Sequence, residues 1–281
     1  MFILYDKDMN KLDFPSGVKP LDIFVSSLQK ERTTQTIEGV HGLIDFGAEY
    51  RDREIKLELL LISADTQDYR LQRDEVYALL DDVAYVSEEY QAGKRYSIRV
   101  DDSYIPERFN NNQTFATAEV NCTTVGLPFA ESLGTTQDIE NNGIDANDER
   151  WGFGQGIITE IDSQRYTVTT PSETEFIIYN AGNLPIIPFH QYLKITFQNV
   201  IGSTEQLRLF NQSTQTYVHV TEQVKNSDII VFDGPTVIKN DQQYFRNTRR
   251  TFIELKQGWN RFVLYHCDSA TIEFDFRFYY K

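Results

Sequence analysis

The sequence is poor in the residues that build redox, metal and disulfide chemistry, with two cysteines, four histidines, two methionines and two tryptophans among 281 residues. Cys122 and Cys267 stand one in each half, which argues against a disulfide framework and a four-ligand zinc site and makes buried free thiols the expectation. His41, His190, His219 and His266 share no ligand spacing, so each is read as structural or superficial. No G-x-S-x-G, Walker A loop, H-E-x-x-H or C-x-x-C occurs, and no catalytic, cofactor or metal residue is assigned. Long apolar runs are missing too: nothing approaches the roughly 20 residues of a membrane span. The opening MFILYDKDMNKLDF has too short an apolar run for a signal peptide and no basic leader, so folding in a cytoplasm is expected. Positive charge is scarce, with 27 basic against 42 acidic residues and a net charge of −15. Residues 1–135 carry 14 basic and 24 acidic residues, which is −10 of that total. Such a field repels phosphate backbones and anionic headgroups, so neither specific nucleic-acid binding nor membrane binding is expected. Arg246, Arg249 and Arg250 form the sole basic cluster and read as a solvated loop.

What is present is β-forming: 16 Tyr and 19 Phe with scattered Thr and Val. The clearest stretch runs from Gly39 to Asp82. Gly39, Gly42 and Gly47 predict reversals around a short apolar run at Leu43 to Phe46. From Glu54 to Ile62 the residues alternate, Ile55, Leu57, Leu59 and Leu61 on one face and Glu54, Lys56 and Glu58 on the other, which predicts a half-buried strand. Leu60 and Ile62 break the polar face, so that end is expected to be covered on both sides. After Ser63 the period turns helical, with Asp65 or Thr66 as N-cap, and with Tyr69, Val76, Leu79, Leu80 and the stem of Arg73 on one face.

This spacing, from G-V-H-G through the Y-R-D-R turn (Tyr50 to Arg53), the alternating strand and the R-L-Q-R-D-E-V-Y-A-L-L helix, resembles the distal tail proteins of long-tailed phages. A V-G-L-P-F-A-E-S segment (Val125 to Ser132) is similar to the end of that family's first domain. The turn at Asn180 to Pro188, the F-D-G segment at Phe232 to Gly234 and F-I-E-L-K-Q-G-W-N (Phe252 to Asn260) are similar to its galectin-like C-terminal domain. The resemblance implies a mainly β protein: a β-barrel-like, ring-forming N-terminal domain with one α-helix, and a galectin-like β-sandwich outside the ring. It implies a structural virion protein without enzymatic activity, a hub joining the tail tube to the tail tip and adsorption apparatus. The implied partners are five further copies in a homohexameric ring, the tail tube protein, a tail-associated or fibre-like protein and a receptor-binding protein. The implied place is the virion tail tip after assembly in the host cytoplasm, with DNA passing through the lumen.

Along the chain, strands are expected at Phe2–Tyr5, Leu21–Leu28, Tyr96–Val100 and Thr114–Thr124, the last with Phe115, Ala118, Val120 and Cys122 at apolar positions. A polar turn is expected at Asn110–Gln113. Residues 29–38 lack apolar alternation and suit an extended arm outside a monomer core. Oligomer contacts are therefore assigned to Arg32, Thr34, Thr36 and Glu38 in the arm, and to Tyr50, Arg51 and Arg53 in the turn. Residues 131–155 are poor in aliphatics and rich in Gly, Asn and Asp. The expected domains are 1–132 and 156–281 with 133–155 as linker. The second half reads as short strands forming a two-sheet sandwich, including Gly156–Ile161 and Phe252–Leu255.

Adjacent carboxylates at Asp81-Asp82, Glu88-Glu89 and Asp101-Asp102 have the wrong geometry for a glycosidase, since neighbours on a strand face opposite ways. Asp138 to Glu149 offers oxygen ligands but lacks the order of a calcium loop. Trp151, Tyr179, Trp259 and Tyr279 leave open an alternative function, recognition of host cell-wall saccharide by the sandwich, against the plainer reading as core and cross-strand aromatics.

Overall fold

The computed structural model describes every residue except Val40, 110–113 and Ala146, together with the side chain of Ile161. The turn expected at Asn110–Gln113 lies outside the described residues. The chain divides into two compact units, Met1–Ala130 with Lys281, and Glu131–Tyr280.

The first unit contains β1 (Phe2–Tyr5), β2 (Lys11–Leu12), β3 (Val18–Val25), β4 (Lys30–Gln35), β5 (Ile44–Tyr50), β6 (Glu54–Ile62), α1 (Thr66–Asp81), β7 (Tyr85–Glu88), β8 (Lys94–Val100), β9 (Glu107–Arg108) and β10 (Phe115–Thr124). Its main sheet is antiparallel in the order β2-β1-β7-β8-β10-β6-β3, with β9 beside β10. The barrel-like closure expected for this domain is not observed. Closure needs every strand to have two partners, and β2 and β3, at the two ends of the order, do not pair with each other.

The alternation in β6 is realised residue for residue. Ile55, Leu57, Leu59 and Leu61 are buried while Lys56, Glu58, Leu60 and Ile62 are half-buried, because β6 lies between β10 and β3 with α1 beneath one face. Asp65 caps α1, its carboxylate accepting from the backbone N–H of Gln67 at 2.8 Å and of Asp68 at 2.9 Å. Tyr69, Val76 and Leu80 reach the core, with Leu79 partly buried against it. The position expected for the stem of Arg73 is filled instead by Gln72, 5% exposed, whose Nε2 donates to Ile62 O at 2.9 Å and whose Oε1 accepts from Ser63 Oγ at 2.9 Å. Gly17, at φ +82°, makes room for that amide, since a Cβ there would stand 2.4 Å from Gln72 Nε2 and 2.5 Å from Ile62 O. One boundary and one burial pattern differ from expectation. β3 starts three residues early because a bulge between Pro20 and Asp22 shifts the phase, so that Val18 and Ile23, five apart, are both buried. In β10 the buried set is Ala116, Ala118, Val120 and Cys122, and Phe115 is exposed.

β11 (Ala130–Ser132) falls at the boundary, and the second unit continues with α2 (Thr136–Asn142), β12 (Thr167–Pro171), β13 (Glu175–Asn180), β14 (Leu193–Ile201), β15 (Leu207–Asn211), β16 (Thr216–Val220), β17 (Ile230–Asp233), β18 (Thr236–Lys239), β19 (Gln242–Gln243), β20 (Gly258–Tyr265), β21 (Ser269–Phe276) and β22 (Tyr279–Tyr280). β12-β21-β14-β17-β18-β19 form one sheet and β13-β20-β15-β16 another. Their inner faces share a core: Phe262 of β20 meets Phe274 of β21 with centroids 5.0 Å apart, and Phe176 of β13 meets the same ring at 6.3 Å. The strand expected at Gly156–Ile161 is not formed, and Phe252–Leu255 contributes a single bridge between Leu255 and Ile186.

Residues 133–155, whose composition suggests a linker, are held in this second unit. Thr136 Oγ1 donates to Phe274 O at 3.0 Å and accepts from Phe276 N at 3.0 Å. Trp151 is 4% exposed and lies against Phe278, and Gln155 O accepts from the Tyr280 hydroxyl at 2.9 Å. One tryptophan and a set of backbone hydrogen bonds anchor the segment that its few aliphatics could not.

Candidate functional site

β4 and β5 pair only with each other, in a two-stranded hairpin from Lys30 to Tyr50. Every residue of β4 is exposed, as is every residue of β5 except Tyr50. Between the pairs Arg32↔Ala48 and Thr34↔Asp45 the register slips by one, and Gly47 at φ +107° supplies the bulge. The hairpin carries a set of apolar side chains that the rest of the unit leaves uncovered: Leu43 is 68% and Phe46 63% exposed, with Ile37 and Ile44 also exposed. A lone two-stranded hairpin is marginal in water, and unpaired strand edges offer free N–H and C=O groups to another chain. This is the geometry of a contact arm.

The residues assigned as oligomer contacts fall in two groups. Arg32 and Thr34 lie in β4, while Thr36 and Glu38 follow it in the exposed connection to β5. Arg32 Nη1 pairs with Asp45 Oδ2 across the hairpin at 2.6 Å, and Arg51 pairs with Glu31. Both pairs are largely exposed and contribute little to stability by themselves. At the base, Tyr50 packs edge-on against Phe129 with centroids 5.5 Å apart and receives the Lys30 ammonium over its ring at 5.4 Å. Arg53 is engaged with its own unit: its Nε donates to Ser26 O at 2.6 Å, its backbone N–H to Thr124 Oγ1 at 2.9 Å, and its guanidinium lies 5.6 Å from the Tyr96 ring. Ile37, Leu43, Ile44 and Phe46 were not assigned from sequence. Their signal was present, an apolar run between glycines in a segment with no matching apolar alternation opposite.

Burial pushes the Cys122 thiol up to about 12 and the Cys267 thiol up to about 11, so neither is a nucleophile at neutral pH. Among the described residues no group of three or more His, Cys, Asp or Glu is placed to hold a metal ion. In the oxygen-rich Asp138–Glu149 stretch, Arg150 takes both Asp138 and Asp148 at 2.6 Å and holds the Asp148 carboxyl below its ordinary range. Of the four aromatics weighed for saccharide stacking, Trp151 and Tyr279 are buried, whereas Tyr179 and Trp259 are half-buried with ring centroids 4.8 Å apart.

Residues 15–122 match the model of the phage tail protein RIFT-related domain. Over 99% of its length the chain has the fold of the Dit (gp 19.1) protein of phage SPP1, described as a paradigm of the hub adsorption apparatus in phages infecting Gram-positive hosts. The TM-score is 0.65 at 14% identity, and 99% of that protein is covered. A chain of the phage p2 baseplate in its activated conformation with Sr matches at a TM-score of 0.40 and 12% identity, covering 98% of this chain and 97% of that one, too low to carry an argument. No curated protein matches in sequence. The two likenesses are thus of a phage tail domain over residues 15–122 and of a Dit fold over the whole length.

Proposed function

We propose, on the premise that residues 15–122 carry a phage tail domain and the whole chain has the fold of a siphophage Dit protein, that this chain is a distal tail hub subunit, a structural virion protein of the tail tip. The observation that carries the reading is the hairpin Lys30–Tyr50, which exposes Leu43, Ile44 and Phe46 and is covered by nothing else in its own unit. An apolar arm on one subunit that seats on a different surface of the next makes a heterologous contact, and such contacts generate rings when the rotation closes. In this reading the arm closes a homohexameric ring of first units, with Arg32, Thr34, Thr36, Glu38, Tyr50 and Arg51 in or beside the seam. The ring joins the tail tube protein to the tail-associated and receptor-binding proteins of the same phage.

The mass of the purified chain in solution tests this. A particle six times the 32.7 kDa chain mass is expected, and Phe46→Glu should yield monomers whose melting temperature is unchanged. A strict monomer at high concentration overturns the reading, and a hexamer that survives Phe46→Glu moves the seam elsewhere.

A further inference from the structure

On the sheet β13-β20-β15-β16, register gathers cations that the sequence scatters. His219 of β16 stands directly opposite Arg208 of β15, and Arg208 directly opposite Tyr265 of β20. On the other side of β16 the chain after the last 3-10 turn runs alongside: Thr248 bridges Val220, and Arg249 N donates to His219 O at 2.9 Å. The next residue after Tyr265, His266, stacks on His219 with ring centroids 6.2 Å apart and planes at 20°. Gln206 ties the two imidazoles together. Both contacts are satisfied when His219 Nε2–H donates to Gln206 Oε1 at 2.9 Å and the Gln206 NH2 donates to His266 Nδ1 at 3.2 Å, which places the remaining proton of His266 on Nε2.

The cluster is unusual in having no counter-charge. None of the ion pairs among the described residues includes Arg208 or Arg249. Burial, then the charges of Arg249, His266 and Arg208, hold the His219 imidazole below its ordinary value, and no carboxylate is among the groups that shift it. Arg208 and Arg249 thus flank a neutral imidazole, and an anion would be drawn to their combined field. The Arg208 guanidinium lies over the Tyr217 ring at 4.4 Å and the Phe210 ring at 5.2 Å, and its Nε is buried with no partner. Flat, half-buried rings at Tyr217 and Tyr265 border the cations.

We propose that Arg208, Arg249 and His266, with His219 holding His266 in place through Gln206, form a binding site for the phosphate or carboxylate group of an acidic sugar, whose body lies on the ring of Tyr265. Arginine supplies the fork that matches a planar or tetrahedral oxyanion, and His266 supplies its Nε2–H, while the Nε2–H of His219 stays on Gln206. The aromatic border distinguishes this from a site for a bare ion, and the net charge of −15 disfavours an extended polyanion such as nucleic acid. The proposal stands apart from the hub reading, because it concerns the second unit alone and does not need a ring.

Calorimetric titration of the full-length chain with glucose 6-phosphate, inorganic phosphate and glucose at pH 6.5 tests it. Glucose 6-phosphate should bind more tightly than phosphate, and glucose should give no heat. Arg249→Gln and His266→Asn should each weaken glucose 6-phosphate by about tenfold, the loss of one charge-assisted hydrogen bond. Arg261→Gln, on β20 and paired with Glu175 at 2.8 Å, should leave it unchanged. Equal affinity for phosphate and glucose 6-phosphate overturns the sugar component, and equal affinity for glucose overturns the anion component. No binding of any probe at millimolar concentration overturns the site. Wild-type binding in both cluster variants, with circular dichroism spectra like the parent's, overturns its location.

Discussion

Leu59→Ala tests the arrangement on which the first unit rests. Leu59 is fully buried near the middle of β6, opposite Ala118 of β10 on one side and Pro20 of β3 on the other, within the core cluster that includes Val76 and Leu80 of α1. Neither cross-strand neighbour can swing in to fill the gap, since one is an alanine and the other a ring closed onto its own backbone. The site should therefore collapse poorly, placing the cost in the upper part of the range of about 2 to 5 kcal/mol for buried leucine truncations. Against a domain stability of about 5 to 15 kcal/mol that is a large fraction. For a unit of this size it lowers the melting temperature by about 10 °C or more. The control is Glu58→Ala, one residue away and on the opposite face, where the side chain is 29% exposed and lies 3.7 Å from Lys56, with Glu119 and Asp22 opposite it on the neighbouring strands. Its change should stay within about 0.5 kcal/mol. Thermal melts by circular dichroism, with sizing of both variants, read the outcome. A Leu59→Ala protein that melts with the parent refutes the packing of β6 under α1. A Glu58→Ala protein that melts normally but no longer assembles would place the outer face of β6 in the seam.

Trp151→Ala should lower the melting temperature of the second unit and leave the first unchanged, at a cost of about 3 to 5 kcal/mol, because Trp151 is buried against Phe278. A harmless Trp151→Ala would return residues 133–155 to the status of a linker. Protease Glu-C should cut the unassembled chain first after Glu38, which lies in the exposed turn between β4 and β5, and that cut should disappear on assembly if the hairpin lies in the seam. His219 is held below its ordinary pKa in the fold, so on acidification the unfolded chain takes up its proton first. The stability it contributes is present above about pH 6.5 and is lost as pH falls below it. Between pH 7.5 and pH 5.5 the parent should lose more melting temperature than His219→Gln, and equal slopes would show that the neighbouring cations do not act on this imidazole.

Sequence by itself determined the elements whose signal is local. The period-2 run of β6, the change to helical period after Ser63 and the Asp65 cap of α1 depend on residues within one strand or a few turns, so they are legible wherever the chain sits. The extended character of β4 was legible for the same reason, as was the two-sheet layout of the second unit from its turn spacing. Tertiary structure alone decided the rest. Whether β5 buries or exposes Leu43, Ile44 and Phe46 depends on what packs over it, and an apolar run has no local mark that distinguishes core from contact arm. The bulge at Pro20 to Asp22 breaks the phase on which strand reading depends, and Gln72 enters the core because Ile62 O and Ser63 Oγ wait there, ten and nine residues away. Residues 133–155 looked like a linker because composition counts aliphatics, whereas one tryptophan and hydrogen bonds to strands more than a hundred residues on hold the segment in place. Arg208, His219, Arg249 and His266 belong to four separate stretches, read one by one as strand or solvated loop. Antiparallel pairing sets them side by side, and pairing between distant strands is a property of register, which no single stretch contains.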